Sequence, residues 1–144
     1  MTTKREQILD QVKTALANTT GVGSRIYREK VTPLTRGELP ALVIELVSDT
    51  ATHSTSLPKI EWNLQIKVIC LVVGSASSTP YENADATIES LHSKLANDLT
   101  LGGYAIDIQV QGVDFEIIDG DQATGAISST YEIRYRTSQT DLST

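Results

Sequence analysis

Apolar and polar positions alternate along this chain with two different periods, and the switches between the periods mark its elements. Ile8, Leu9, Val12, Ala15 and Leu16 recur at steps of three and four, with Lys4, Arg5, Glu6, Asp10 and Lys13 off the stripe. That spacing predicts an amphipathic helix. Thr3 stands at the capping position, and Glu6, three residues on, is placed as the return partner of a capping box. The run 18–24, with glycines at 21 and 23, supplies the exit. A second stripe, formed by Ala84, Ile88, Leu91, Leu95 and Leu99, predicts a helix over about 83–99.

Between and after the helices the period falls to two. Residues 25–31 form a short strand candidate, and Pro33 and Pro40 bracket a turn-rich connection. Pro40 opens the apolar run 41–47, whose β-branched residues and shortness favour a buried strand. In the clearest strand Ile60, Trp62, Leu64, Ile66 and Val68 alternate with Glu61, Asn63, Gln65 and Lys67, and from Ile69 to Val73 both faces are apolar. At strand rise such a run spans ~45 Å, enough to project beyond a subunit body. Tyr104, Ile106, Ile108 and Val110 give way at Gly112 to Val113, Phe115 and Ile117, a phase shift that predicts a bulge or bend. Ile127, Ser129, Tyr131, Ile133 and Tyr135 mark the inner side of the last strand.

Three stretches break the periodicity. Residues 48–59 are rich in Ser and Thr, carry His53 and close with Pro58, which predicts a long flexible loop. Residues 74–80 resemble a linker, and 138–144 a frayed polar tail. The elements together predict one domain over residues 1–144. Its fold class is α+β, a mostly antiparallel or mixed sheet with two helices packed on one face.

Composition narrows the functional classes. A chain of 144 residues with 40% hydrophobic and 21% charged residues can bury a core without metal or disulfide support. No apolar run reaches the roughly 20 residues of a membrane-spanning helix. The polar start, Met1-Thr-Thr-Lys-Arg, lacks the apolar stretch of a secretory signal, so the cytoplasm of the producing cell is the expected location. A net charge of −6 is the wrong sign for gripping nucleic acid. It suits a surface that DNA slides past.

The chemistry-bearing residues point to surfaces rather than a reaction centre. Cys70 lies in the apolar part of the long strand, without a neighbouring base to activate it. His53 and His92 are not spaced as metal ligands, and His92 falls on the polar side of its helix. Asp114, Glu116, Asp119 and Asp121 cluster around a strand end and turn but lack the spacing of a calcium loop. They form either a solvated turn or an acidic surface facing DNA or a basic partner. The Gly21-Val-Gly-Ser24 run has no lysine to make it a phosphate loop. Arg25, Arg28, Lys30 and Arg36 lack the interleaved aromatics of a single-strand binder. These absences predict a non-enzyme with no cofactor and no metal.

The chain resembles the tail terminator, or tail completion, proteins of long-tailed bacteriophages over nearly its whole length. The resemblance is carried by the opening amphipathic helix, the run 25–45 with its Leu39-Pro40 step before an apolar strand, and the long alternating strand from Ile60. It continues in Leu99-Thr-Leu-Gly-Gly-Tyr104 and the closing Tyr131-Glu-Ile-Arg-Tyr-Arg136. The resemblance implies a structural assembly protein of the virion tail. It would form a homo-hexameric ring at the head-proximal end, stop polymerisation of the tail tube protein and dock a head-completion or connector protein. DNA would pass through the lumen without specific binding, and no membrane would be involved.

On that reading His53, Arg134 and Arg136 are candidates for the subunit or tube interface, with Asp114, Glu116, Asp119 and Asp121 at an acidic lumen or rim. The loop 48–59 would order only on assembly. Another head-tail joining or tail-tube protein is the nearest alternative. A small-ligand-binding enzyme and a DNA-binding regulator using Arg25 to Arg36 are alternatives from other classes.

Overall fold

The computed structural model describes residues 2–23, 25–28, 41–53, 59–74, 79–118 and 124–143. In chain order they form α1 (Lys4–Ala15), β1 (Ile26–Arg28), β2 (Ala41–Thr52), β3 (Lys59–Val73), α2 (Pro80–Ala96), β4 (Asp107–Ile118) and β5 (Thr124–Ser138). The strands make one five-stranded mixed sheet in the order β1-β2-β3-β5-β4, in which only the β1–β2 pair is parallel. Both helices pack against this sheet, and the fold is α+β.

Each helix begins on a threonine. Thr3 Oγ1 accepts a hydrogen bond from the Glu6 amide at 3.3 Å, and Thr79 Oγ1 accepts one from the Glu82 amide at 3.2 Å. Both satisfy amides that the first helical turn leaves without an internal partner. The Glu6 side chain does not return to Thr3 as the capping-box pattern suggested. Its two oxygens take the Arg28 guanidinium instead, at 2.8 and 3.3 Å. The α2 start lies three residues before the predicted one, because Pro80 is a favourable first-turn residue rather than the end of a linker. Its end lies before Leu99, which is exposed in the following turn and is not part of the inner stripe.

The core lies between the helices and one sheet face. Leu64, Ile66, Val68, Cys70 and Val72 from β3 meet Ile127, Tyr131, Ile133 and Tyr135 from β5. Ile8, Leu9, Val12, Leu91 and Leu95 cover them from the helices. β3 is the central strand, paired with β5 along its whole length and with β2 from Glu61 to Leu71. Its early end therefore does not project bare from the body, and Ile60 there is buried. At its other end Cys70 and Val72 are buried, while Ile69, Leu71 and Val73 are only half-buried.

The Ser/Thr-rich stretch departs from the sequence expectation. β2 runs on through Ser48 to Thr52, and only 54–58 of the predicted loop lie outside the described residues. A register shift between Leu46 and Ser48 inserts Val47 as an extra residue and reverses the phase. Ser48, Thr50 and Thr52 then share the polar face with Gln65, Asn63 and Glu61. Threonine is well suited to such a half-exposed strand. The predicted shift at Gly112 is present, with β4 changing register against β5 between Val110 and Gly112. In the tail, the Leu142 carbonyl accepts the Lys4 amide at 2.8 Å, which ties residues expected to fray to the start of α1.

Candidate interaction surface

Among the described residues β4 is one of the two edge strands of the sheet, and its exposed side chains divide sharply between two faces. Register with Ser129, Ile127 and Gly125 places Val113, Phe115 and Ile117 on the helix side, where α2 leaves them largely uncovered. Together with Val110 they are 38–61% exposed, Phe115 the most. Phe115 meets Tyr81 of α2 edge-on, with ring centroids 5.2 Å apart. The alternate residues Asp114 and Glu116 lie on the opposite face across from Ser128 and Ala126. Edge strands commonly blunt their open side with inward charges or proline. Here the helix-side row is uniformly apolar.

An open groove of about 360 Å³ continues this apolar row between α2 and β4. His92, Leu95, Leu99, Ile108, Val110 and Tyr131 line it. The His92 ring stacks on Tyr131, with Nδ1 3.2 Å from the phenolic oxygen. Burial pushes the Tyr131 hydroxyl up to about 12, so it stays neutral across the working range. The pair gives the groove a polar floor. Neither partner is arranged as an activated nucleophile.

The polar sheet face carries a charge pattern centred on Glu61. Arg134 donates to Glu61 Oε1 from Nη2 at 2.5 Å and from Nε at 3.2 Å. The Glu61 carboxyl is held below its ordinary range by the Arg134 hydrogen bonds, with Arg134 and Arg136 charge adding to the effect. Arg136 stands directly opposite Glu61 in the ladder and is exposed.

On the helix face, Asp49 accepts from Tyr135 Oη at 2.5 Å and lies 3.4 Å from Arg5. Desolvation raises the Asp49 carboxyl above its usual range against the pull of those two partners. This cluster was hidden in the sequence, where Asp49 sits among Ser and Thr and its partners lie 44 and 86 residues away.

The sequence-predicted site residues scatter. His53 is exposed just beyond the end of β2. Arg134 is engaged within the chain, while Asp114 and Glu116 are exposed on β4. Asp119 and Asp121 lie outside the described residues. The apolar half of β4 was visible in the alternation but gained importance only when the topology made it an edge. Cys70 is fully buried, with its thiol pushed up to about 12 by burial. Among the described residues no three His, Cys, Asp or Glu side chains converge to hold a metal ion. No described helix is long and apolar enough to cross a membrane.

No known protein family matches the chain, and neither does any curated protein. Among solved structures, the chain is similar to one from the virion of a native gene transfer agent particle, with a TM-score of 0.56 and 16% sequence identity. The match covers 94% of this chain and 92% of the other. At that identity the likeness is one of fold.

Proposed function

We propose that this protein is a structural component of a phage-like virion and acts by assembly rather than catalysis. The observation that carries this reading is the near end-to-end likeness of fold to a chain from a gene transfer agent particle. The surfaces agree with such a role. Cys70, the strongest nucleophile by residue type, is buried and held protonated, and the exposed apolar row of β4 is of the kind that marks an interaction site.

Within that class the favoured role is a tail terminator. Six copies form a closed heterologous ring, each using one surface to meet a different surface of the next. The ring caps the head-proximal end of the tail tube, ends its growth and offers a docking face to a head-completion protein. His53 and Arg136 contribute to subunit or tube contacts, with Arg134 fixing Glu61 beside them. Asp114, Glu116, Asp119 and Asp121 form an acidic lumen or rim. The net charge of −6 supports passage of DNA without adhesion.

Electron microscopy of the purified protein, alone and mixed with tail tubes, tests both levels. Six-fold rings seated on tube ends are the expected result. Long filaments of the protein alone would replace the terminator with a tube subunit. A monomer that binds no tail or head component would end the structural reading.

A further inference from the structure

We infer that β4 is the docking edge for an extended segment of a different protein, in which Lys or Arg alternates with apolar residues. Beyond the bulge, residues 112–118 form a regular stretch paired with β5 on one side only among the described residues. A segment added on the open side would continue the backbone ladder, as exposed sheet edges permit. The pleat then dictates its side chains. Those on the helix side lie beside Val113, Phe115 and Ile117, all exposed. Those on the other side lie beside Asp114 and Glu116, which β5 answers with Ser128 and Ala126 rather than a base.

Charge decides against a second copy of this chain as the occupant. Two β4 strands paired about Phe115 would set Asp114 against Glu116 twice, and like charges directly opposed destabilise a ladder. The outer half of β2 is a further open stretch among the described residues, because β1 reaches only to Ile44. On the same sheet face it carries Ser48, Thr50 and Thr52, none of them basic. The arginines beside β1 are engaged inside the chain, Arg25 with the Gly21 carbonyl and Arg28 with Glu6. A partner segment of basic and apolar alternation satisfies both faces of β4 at once. This inference stands on β4 alone, holds whether or not six subunits close into a ring, and places Asp114 and Glu116 at a rim covered by the docked segment rather than in an open lumen.

The test uses the full chain and three synthetic eight-residue peptides: valine alternating with lysine, valine alternating with glutamate, and four valines followed by four lysines. Amide hydrogen exchange should show new protection at 112–118 with the alternating lysine peptide only. Its affinity should exceed that of the other two at least tenfold and fall at least tenfold in the D114N/E116Q double variant, whose changes are confined to exposed positions. Equal binding of all three peptides, or protection elsewhere than β4, would overturn the inference. So would protection of 112–118 that appears without peptide and rises with protein concentration, since that would make a second copy the occupant.

Discussion

Tyr135 reaches across the central strand to donate its hydroxyl proton to Asp49, at 2.5 Å, joining β5 to β2 over the top of β3. The aromatic ring stacks on Trp62, whose indole N–H donates to Thr137 at 2.9 Å. The hydrogen bond therefore belongs to a polar seam that closes one end of the core under Arg5. Tyr135→Phe keeps the ring and deletes the donor, leaving a half-buried carboxylate with Arg5 alone. The expected cost is about 1.5–3 kcal/mol, as for hydrogen bonds to charged groups, measured by urea unfolding near pH 7. A loss below experimental error would show that water replaces the hydroxyl freely.

The same aspartate gives stability an unusual pH dependence. Burial raises its folded-state pKa above the ordinary value of 3.8, so the native protein holds that proton more tightly than the unfolded chain. Its contribution is present at low pH and is lost as pH rises through the folded pKa. Glu6 has the opposite sign: Arg28 lowers its pKa from 4.5, so its contribution is present above that value and lost as pH falls. Asp49→Asn should make stability rise more steeply above pH 3.8, and Glu6→Gln should make it fall less as pH drops below 4.5. Parallel shifts in the two variants would contradict the assignment.

Gly125 fixes how closely α2 approaches the sheet. A β-carbon at this position would stand 2.7 Å from Pro80 Cβ and 3.3 Å from Val72 Cγ2. Both neighbours are buried, and Pro80 is the rigid first residue of α2. Gly125→Ala should therefore displace the start of α2 and cost about 1–3 kcal/mol, in the range of overpacked cores. Thermal unfolding reports the cost. A neutral or stabilising result would mean that the helix start shifts without resistance.

These features differ in how far they could be read from the chain. The two helical stripes and the alternation from Ile60 to Val68 are local, period-driven signals, and they correspond to α1, α2 and β3. The shift at Gly112 was equally legible, because a bulge exchanges the two faces of a strand and leaves that exchange in the pattern. Residues 48–52 were not legible, since Ser and Thr serve loops and polar strand faces alike and the Val47 bulge broke the alternation. The Asp49–Tyr135 and Glu61–Arg134 contacts join residues 86 and 73 positions apart, so only the strand order could bring them together. The edge position of β4 depends on the same order. Asp114 and Glu116 stand out by residue type, whereas the apolar row on their other side looks like ordinary core until the strand order is known.

Thr79 tests the early start of α2. Its hydroxyl caps the Glu82 amide, and Pro80 follows in the first turn. Thr79→Ala should cost about 1 kcal/mol, as usual for loss of an N-cap oxygen. Thr79→Ser should retain most of the stability. If both variants matched the parent protein, the helix would be held by packing alone, with Pro80 against Gly125 as the anchor.

Cys70 reports whether the helix layer and the sheet open as a unit. It is fully buried near the C-terminal end of β3, with its thiol pushed up to about 12 by desolvation. At pH 8 only about one thiol in ten thousand would ionise at such a pKa, and the thiolate is the reactive form. Burial also blocks the reagent, so modification requires the helices that cover this face of β3 to lift. Labelling with an aromatic disulfide should be at least roughly a thousandfold slower in the native protein than in urea, following the free energy of opening. It should accelerate in Gly125→Ala and Tyr135→Phe in proportion to their lost stability. Rapid labelling without unfolding would show that the helices lift locally from the sheet, and cooperative opening of the two layers would then be ruled out.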